Sequence, residues 1–219
     1  MAYPIQVNIE VLVLPRASNI GDFDPLRSDP SAYVRFVRMG EELGSPDIVI
    51  LPGTRNTILD YQHIKKAGYV GKIKELARKK AIVFGIGGGF QMLGTKIIDI
   101  KGSESHLSQT DGFCFLPIVT RIMPSEVSSE VRFDTIENNL IKDGPRANMK
   151  GFESHLGRTK YLNGSKPLFR IIERHKKEVA IFDGAVNEEA GAAGTYIHGV
   201  FHNDLFRHYF LDCARERKQ

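Results

Sequence analysis

Residues 81–94, Ala-Ile-Val-Phe-Gly-Ile-Gly-Gly-Gly-Phe-Gln-Met-Leu-Gly, have the outline of a device that presents one side chain for chemistry. Ala81 to Ile86 is a short apolar run that reads as a buried strand; three glycines break it, and helix-compatible residues follow. A strand, a tight turn and a helix in that order lift the apex residue clear of the end of a parallel sheet. Glycines flank such an apex because a side chain there would clash with the strand or with the incoming helix. The apex falls on Gly87, which has no side chain to present. The two cysteines do not replace it: Cys114 lies in an expected strand and Cys213 in the last expected helix.

The glycines do not make a phosphate loop. A P-loop needs Gly-Lys-Ser/Thr, whereas Gly94 is followed by Thr95-Lys96, and the dinucleotide pattern would put a third glycine where Phe90 or Met92 stands. Candidates for proton transfer are few. His198 stands in the glycine-bounded segment Gly194-Thr195-Tyr196-Ile197-His198-Gly199-Val200-Phe201, where an imidazole is either catalytic or structural. His155, in Glu153-Ser154-His155, is expected on a loop, where it orients a substrate or satisfies a turn. His63, His106, His175, His202 and His208 show no partner pattern. No set of His, Cys and carboxylates has zinc-ligand spacing, so no metal site is expected.

To bring these residues together the chain must build a sheet, and its first half reads β-α-β-α-β-α. Ile5 to Leu14 alternates and then turns wholly apolar, a first strand. A turn-rich loop runs from Pro15 to Leu26, and Asp29-Pro30-Ser31 is expected to open a helix reaching about Leu43. Asp47 to Leu51 is a second buried strand, Pro52 to Thr57 a loop, and Thr57 to Lys79 two helices ahead of the elbow. Short apolar strands alternating with helices argue for a parallel sheet, whose active crevice lies beyond the strands' carboxyl ends. From about Gly112 the texture becomes β-rich: Phe113 to Ile122, Val131 to Ile136, Leu168 to Glu173 and Val179 to Phe182 read as strands. A last helix starts at about Asp204. With 219 residues and 42% hydrophobic content the chain is expected to be one domain, residues 1–219. The net charge of +4 is too dilute for nucleic acid. No run approaches the roughly 20 apolar residues of a membrane span, and the N-terminus lacks a signal-peptide layout, so a cytoplasmic location is expected.

Five stretches, taken together, resemble one family. Leu12-Val13-Leu14-Pro15-Arg16-Ala17-Ser18-Asn19 with Asp22-Phe23-Asp24-Pro25-Leu26 is similar to the opening of the class I (triad-type) glutamine amidotransferase domain of cobyric acid synthase. So are Ile50 to Asp60, Gly85 to Gly94, Gly151-Phe152-Glu153-Ser154-His155-Leu156-Gly157-Arg158-Thr159, and Gly194 to Phe201. The resemblance implies a flavodoxin-like α/β fold, a mostly parallel sheet with helices on both faces and a β-rich C-terminal half. It implies glutamine as substrate, hydrolysed to glutamate with ammonia passed to a synthetase domain or subunit. That chemistry needs a thiolate, a histidine to move its proton and backbone donors for the oxyanion.

By the match, Gly87 occupies the family's cysteine position and His198 is the general base. Gly53 and Gly88 supply oxyanion-hole N–H groups, Gln91 helps bind glutamine, and Glu153 and His155 are accessory. In many relatives of this class a glutamate two residues past the histidine orients it; that position is Val200 here, which implies that a Cys–His pair suffices in this branch. The family's elbow reads Gly-Ile-Cys-Gly-Gly, so glycine at 87 implies no hydrolysis through a thioester. No cofactor is expected in this domain; ATP and Mg belong to a P-loop synthetase domain that this chain does not contain. Two other readings stay open: an amidotransferase subunit acting with a Mur-ligase-like partner on peptidoglycan precursors, and a non-catalytic glutamine-binding or interaction module.

Overall fold

The computed structural model describes residues 6–138, 140–141 and 148–218. Its centre is a six-stranded sheet made of β1 (Val7–Val13), β2 (Ala32–Arg38), β3 (Ile48–Leu51) and β4 (Ile82–Ile86), joined later in the chain by two more strands. The helices between them are α1 (Asp24–Ser28), α2 (Thr57–Lys66), α3 (Tyr69–Arg78) and α4 (Gly88–Leu93). A second sheet follows, built on β5 (Ile118–Thr135), β6 (Met149–Tyr161), β7 (Phe169–Arg174) and β8 (Lys177–Asp183). The chain then returns to the first sheet through β9 (Ala185–Asn187) and β10 (Ala192–Thr195) and ends in α5 (Asp204–Lys218). Strand order in the first sheet is β9-β10-β4-β3-β1-β2, parallel except for the β9–β10 pair.

The apolar strands are continuous because both faces of this sheet are covered. Ile48 and Ile50 of β3 face a layer containing Phe206, Phe210 and Leu211 of α5 and Phe133 and Phe169 of the second sheet. Their neighbours Val49 and Leu51 face Ile58, Tyr61 and Ile64 of α2 and Ile73 and Leu76 of α3. The period of two thus divides one strand between two cores. This is the mostly parallel sheet with helices on both faces, followed by a β-rich half, that the sequence implies.

The structure differs from expectation in four places. Residues 32–38 form strand β2 and not a helix: Ala32 to Arg38 pair in parallel with Val7 to Val13, and the crossover is the short α1. Asp29 does not cap a helix; its Oδ1 accepts from Ser31 N at 3.0 Å and Ser31 Oγ at 2.7 Å, an Asx turn feeding the strand. Residues 113–116 are loop, because their N–H groups satisfy the carbonyls that end α4: Phe113 N binds Met92 O, Cys114 N binds Gly94 O, and Phe115 N and Leu116 N bind Leu93 O. Cys114 adopts a φ of 61° there and is exposed. His155 lies on β6 and not on a loop, beside a register shift between His155 and Gly157. Ile5 of the expected first strand lies outside the described residues.

Asp183, at the end of β8, holds the segment that follows β10. Its carboxyl accepts from Thr195 Oγ1 and from Tyr196 N, and Ile197 N donates to Thr195 Oγ1 at 2.9 Å. Burial pushes the Asp183 pKa up to about 6, with a contribution from nearby Glu153. The folded protein therefore holds this proton more tightly than the unfolded chain does. The contribution of Asp183 to stability is greatest below the unfolded value and falls as pH rises through the window from about 4 to 6, by about 3 kcal/mol. In Asp183→Asn that part of the pH dependence should vanish, read as denaturant midpoints from pH 4 to 7; an unchanged slope would show that another group titrates.

Candidate functional site

Four connections leave the carboxyl ends of neighbouring parallel strands and meet above the sheet: those after β1, β3, β4 and β10. The connection after β4 is the elbow. Gly87 has φ 55° and ψ −115°, a left-handed conformation that costs a residue with a side chain about 1–3 kcal/mol. A Cβ at Gly87 would lie 3.3 Å from His198 Nε2, 3.5 Å from its Cε1 and 3.6 Å from Gly53 Cα. The bare apex thus faces an imidazole at the distance of one short side chain. Its own N–H donates to Thr195 O at 2.8 Å, which ties the elbow to the strand leading to His198.

His198 is 1% exposed. Its Nδ1 lies 2.7 Å from Asp22 Oδ2, and the other carboxylate oxygen accepts from Gly199 N at 3.0 Å. A carboxylate only accepts, so Nδ1 carries a hydrogen, and in the corresponding neutral tautomer the lone pair stands at Nε2, toward the gap. Asn19 Nδ2 lies 3.2 Å from that nitrogen and is its donor. Asn19 reaches it from a left-handed conformation, φ 54°, that asparagine tolerates better than most residues. Phe152 stacks on the ring with centroids 5.0 Å apart and is 38% exposed, forming one wall of the opening.

The remaining sequence candidates divide into two groups. Gly53, Gly88 and Gln91 border the elbow. A Cβ at Gly53 would come within 3.0 Å of His198 Cε1, so glycine there lets the imidazole approach. Gly88 opens α4, and its N–H is one that a helix leaves without an internal acceptor; the next amide, Gly89 N, is bound to Pro52 O at 3.1 Å. Gln91 is buried one turn along the same helix face, with Oε1 lacking a hydrogen-bond partner. Glu153 and His155 form a separate cluster on β6. The Glu153 carboxylate meets Arg174 at 2.8 Å and His155 Nε2 at 3.4 Å, while His155 Nδ1 bonds Gly157 O at 2.9 Å. The His155 ring stacks on Tyr196, centroids 3.8 Å apart, two residues before His198. These two residues support the histidine's strand, His155 through Tyr196 and Glu153 by pairing with Ile197.

Asp22 and Asn19 are the residues sequence reasoning missed. Both stand within the quoted opening stretch, but 176 positions separate Asp22 from His198 and no local spacing joins them. The resemblance puts an orienting carboxylate at position 200; Val200 is fully buried, and the carboxylate arrives from the loop after β1 instead. The imidazole is therefore not left without a third partner, contrary to the pair expected from position 200.

The sequence model of the CobB/CobQ-like glutamine amidotransferase domain matches residues 8–206. The chain belongs to that family. It is 38% identical over 97% of its length to a cobyric acid synthase from Pelotomaculum thermopropionicum, and 37% identical over 97% to one from Clostridium botulinum. It spans 41% and 42% of those two relatives, about two-fifths of each. Among solved structures, the PurLQS structure from Thermotoga maritima aligns with a TM-score of 0.66 over 97% of both chains at 15% identity, a likeness of fold.

In this family member the tautomer of His198 is set by Asp22. In Asp22→Asn the new side chain still accepts from Gly199 N through its oxygen and turns its NH2 toward Nδ1, so the ring proton should move to Nε2. Nitrogen-15 NMR of the imidazole reads this directly: Nδ1–H in the parent, Nε2–H in the variant. The same tautomer in both would remove Asp22 from the role.

Proposed function

We propose that this domain is the glutamine-handling part of a cobyric acid synthase, built to supply ammonia for ATP-dependent amidation of corrinoid side-chain carboxylates, and that Gly87 stops it from doing so through a thioester. The observation that carries this reading is the apex of the elbow facing His198 Nε2, in a chain that matches the family over residues 8–206. ATP and Mg would act in a synthetase partner.

The chemistry can be assigned atom by atom. With a cysteine at the apex, His198 Nε2 takes the thiol proton, and the thiolate attacks the carboxamide carbon of glutamine. Asp22 holds the imidazolium through Nδ1–H. The Gly88 N–H serves the developing oxyanion, and Gly53, paired with Ser18, leaves room beside it. Collapse expels ammonia, protonated by the same Nε2, and water later cleaves the thioester to glutamate. Glycine at 87 has no atom with which to form the carbon–sulfur bond. The general base, its carboxylate and the backbone donor remain, and such remnants give about 10³–10⁴-fold over water in hydrolases stripped of their triads. Gly87 itself favours a second reading, a glutamine-binding module whose service is recognition and not turnover.

Restoring the thiol tests the proposal. Gly87→Cys should release glutamate from glutamine at least about 10³-fold faster than the parent. It should also unfold about 2–12 °C lower, because a residue with a side chain takes on the left-handed apex. A folded Gly87→Cys protein that releases no glutamate, even with a synthetase partner present, would overturn the assignment.

A further inference from the structure

One donor is missing from the gap between the elbow and the imidazole. Attack on a carboxamide throws charge onto its oxygen, and sites for this chemistry aim a pair of N–H groups at it. Gly88 N, at the start of α4, is one such group. Gly53, the other glycine beside the apex, is not free to be the second. Residues 53–54 pair antiparallel with residues 17–18, with Ser18 opposite Gly53, and one step along Arg55 N donates to Arg16 O at 3.1 Å. Bonded and non-bonded pairs alternate along such a ladder, so Ser18 and Gly53 exchange both their bonds. The Gly53 N–H is therefore spent on the Ser18 carbonyl.

The same turn carries a replacement. Asn19 follows Ser18 directly, is exposed at the opening, and brings its amide nitrogen to 3.2 Å from His198 Nε2. A Cβ at position 87 would lie 3.3 Å from that same nitrogen. The amide and the first atom of a nucleophile thus stand within one hydrogen-bond length of a single ring atom. The leaving nitrogen of a bound carboxamide must reach that atom to be protonated, and the oxyanion sits on the same carbon. It forms within the sweep of the Asn19 side chain.

The bond that Asn19 makes at rest cannot survive the reaction. Once Nε2 takes the thiol proton it becomes a donor, and Nδ2 is a donor as well, so the two repel. At that moment the carbonyl electron pair moves onto oxygen, and a charged acceptor appears beside them. A bond that is weak in the ground state and charge-assisted in the transition state is the kind that raises a rate. We propose that Asn19 Nδ2 is the second oxyanion donor, a side-chain amide in place of the Gly53 N–H. In the step it serves, the sulfur–carbon bond forms, the thiol proton passes to Nε2, and the carbonyl pair comes to rest on an oxygen held by Gly88 N and Asn19 Nδ2. The assignment rests on the glutamine reading above and adds a catalytic residue to it.

Glutamate release by Gly87→Cys, alone and combined with Asn19→Gly or Asn19→Asp, tests it. Glycine and aspartate both tolerate the left-handed backbone at position 19, so neither variant strains the turn. Each should lower kcat about 10²–10³-fold while KM stays within about threefold. Aspartate would accept from the protonated ring but repel the oxyanion, so an Asn19→Asp protein with undiminished kcat overturns the proposal. Alkylation of the thiol at position 87 by iodoacetamide, read by mass spectrometry of its peptide, uses the same ring but forms no oxyanion. Its rate should stay within about threefold in Asn19→Gly. An alkylation rate that falls as far as kcat would make Asn19 a support of the ring, and an unchanged kcat would leave the oxyanion to the backbone; either result overturns the proposal. Gly87→Cys that releases no glutamate with Asn19 in place overturns the glutamine reading and the donor with it.

Discussion

The parallel pairing of β4 with β10 is the constraint on which the site depends. Val83 to Ile86 lie beside Ala192 to Thr195, so two segments more than a hundred positions apart leave the sheet at the same edge and in the same direction. The Gly87 N–H to Thr195 O bond continues that ladder one step past the last strand residues. The apex and the imidazole thereby share one rigid frame, as a site needs if its groups are to stay within fractions of an ångström. The same edge admits α4 only because side chains are missing beneath it: a Cβ on Gly89 would run into the Leu51 carbonyl.

Much of this was legible in the order of residues. The elbow could be read because strand, glycine cluster and helix are contiguous and each has a local cause. The parallel sheet could be read because β1, β3 and β4 are short, apolar and separated by crossovers. The segment 32–38 misled because Asp-Pro-Ser imitates a helix start, whereas Ala32 to Arg38 are held as a strand by pairing with β1, which local pattern does not register. Residues 113–116 misled for a similar reason. Their apolar character suits a strand, but their amides are taken by the end of α4.

The site was legible only where its members are neighbours. Gly87, Gly88 and Gln91 come from one stretch. Asp22 and Asn19 come from the connection after β1, whose meeting with the histidine is decided by the whole sheet. Their residue types carry no signal of their own, since asparagine and aspartate in a turn-rich loop are ordinary turn formers. What marks them in space is bonding: a carboxylate against one imidazole nitrogen and an amide against the other.

The contact between Asn19 and His198 sets the resting condition of this centre. In this structure Nε2 is not bare: a neutral amide meets it from a turn of its own. Anything that would use that nitrogen, a thiol, a water or a proton, has to compete for it, against a bond worth about 1 kcal/mol net. Asp22, Phe152 and burial already fix the ring, so at rest the amide decides only what meets Nε2, and it is weak enough to yield to an incoming nucleophile.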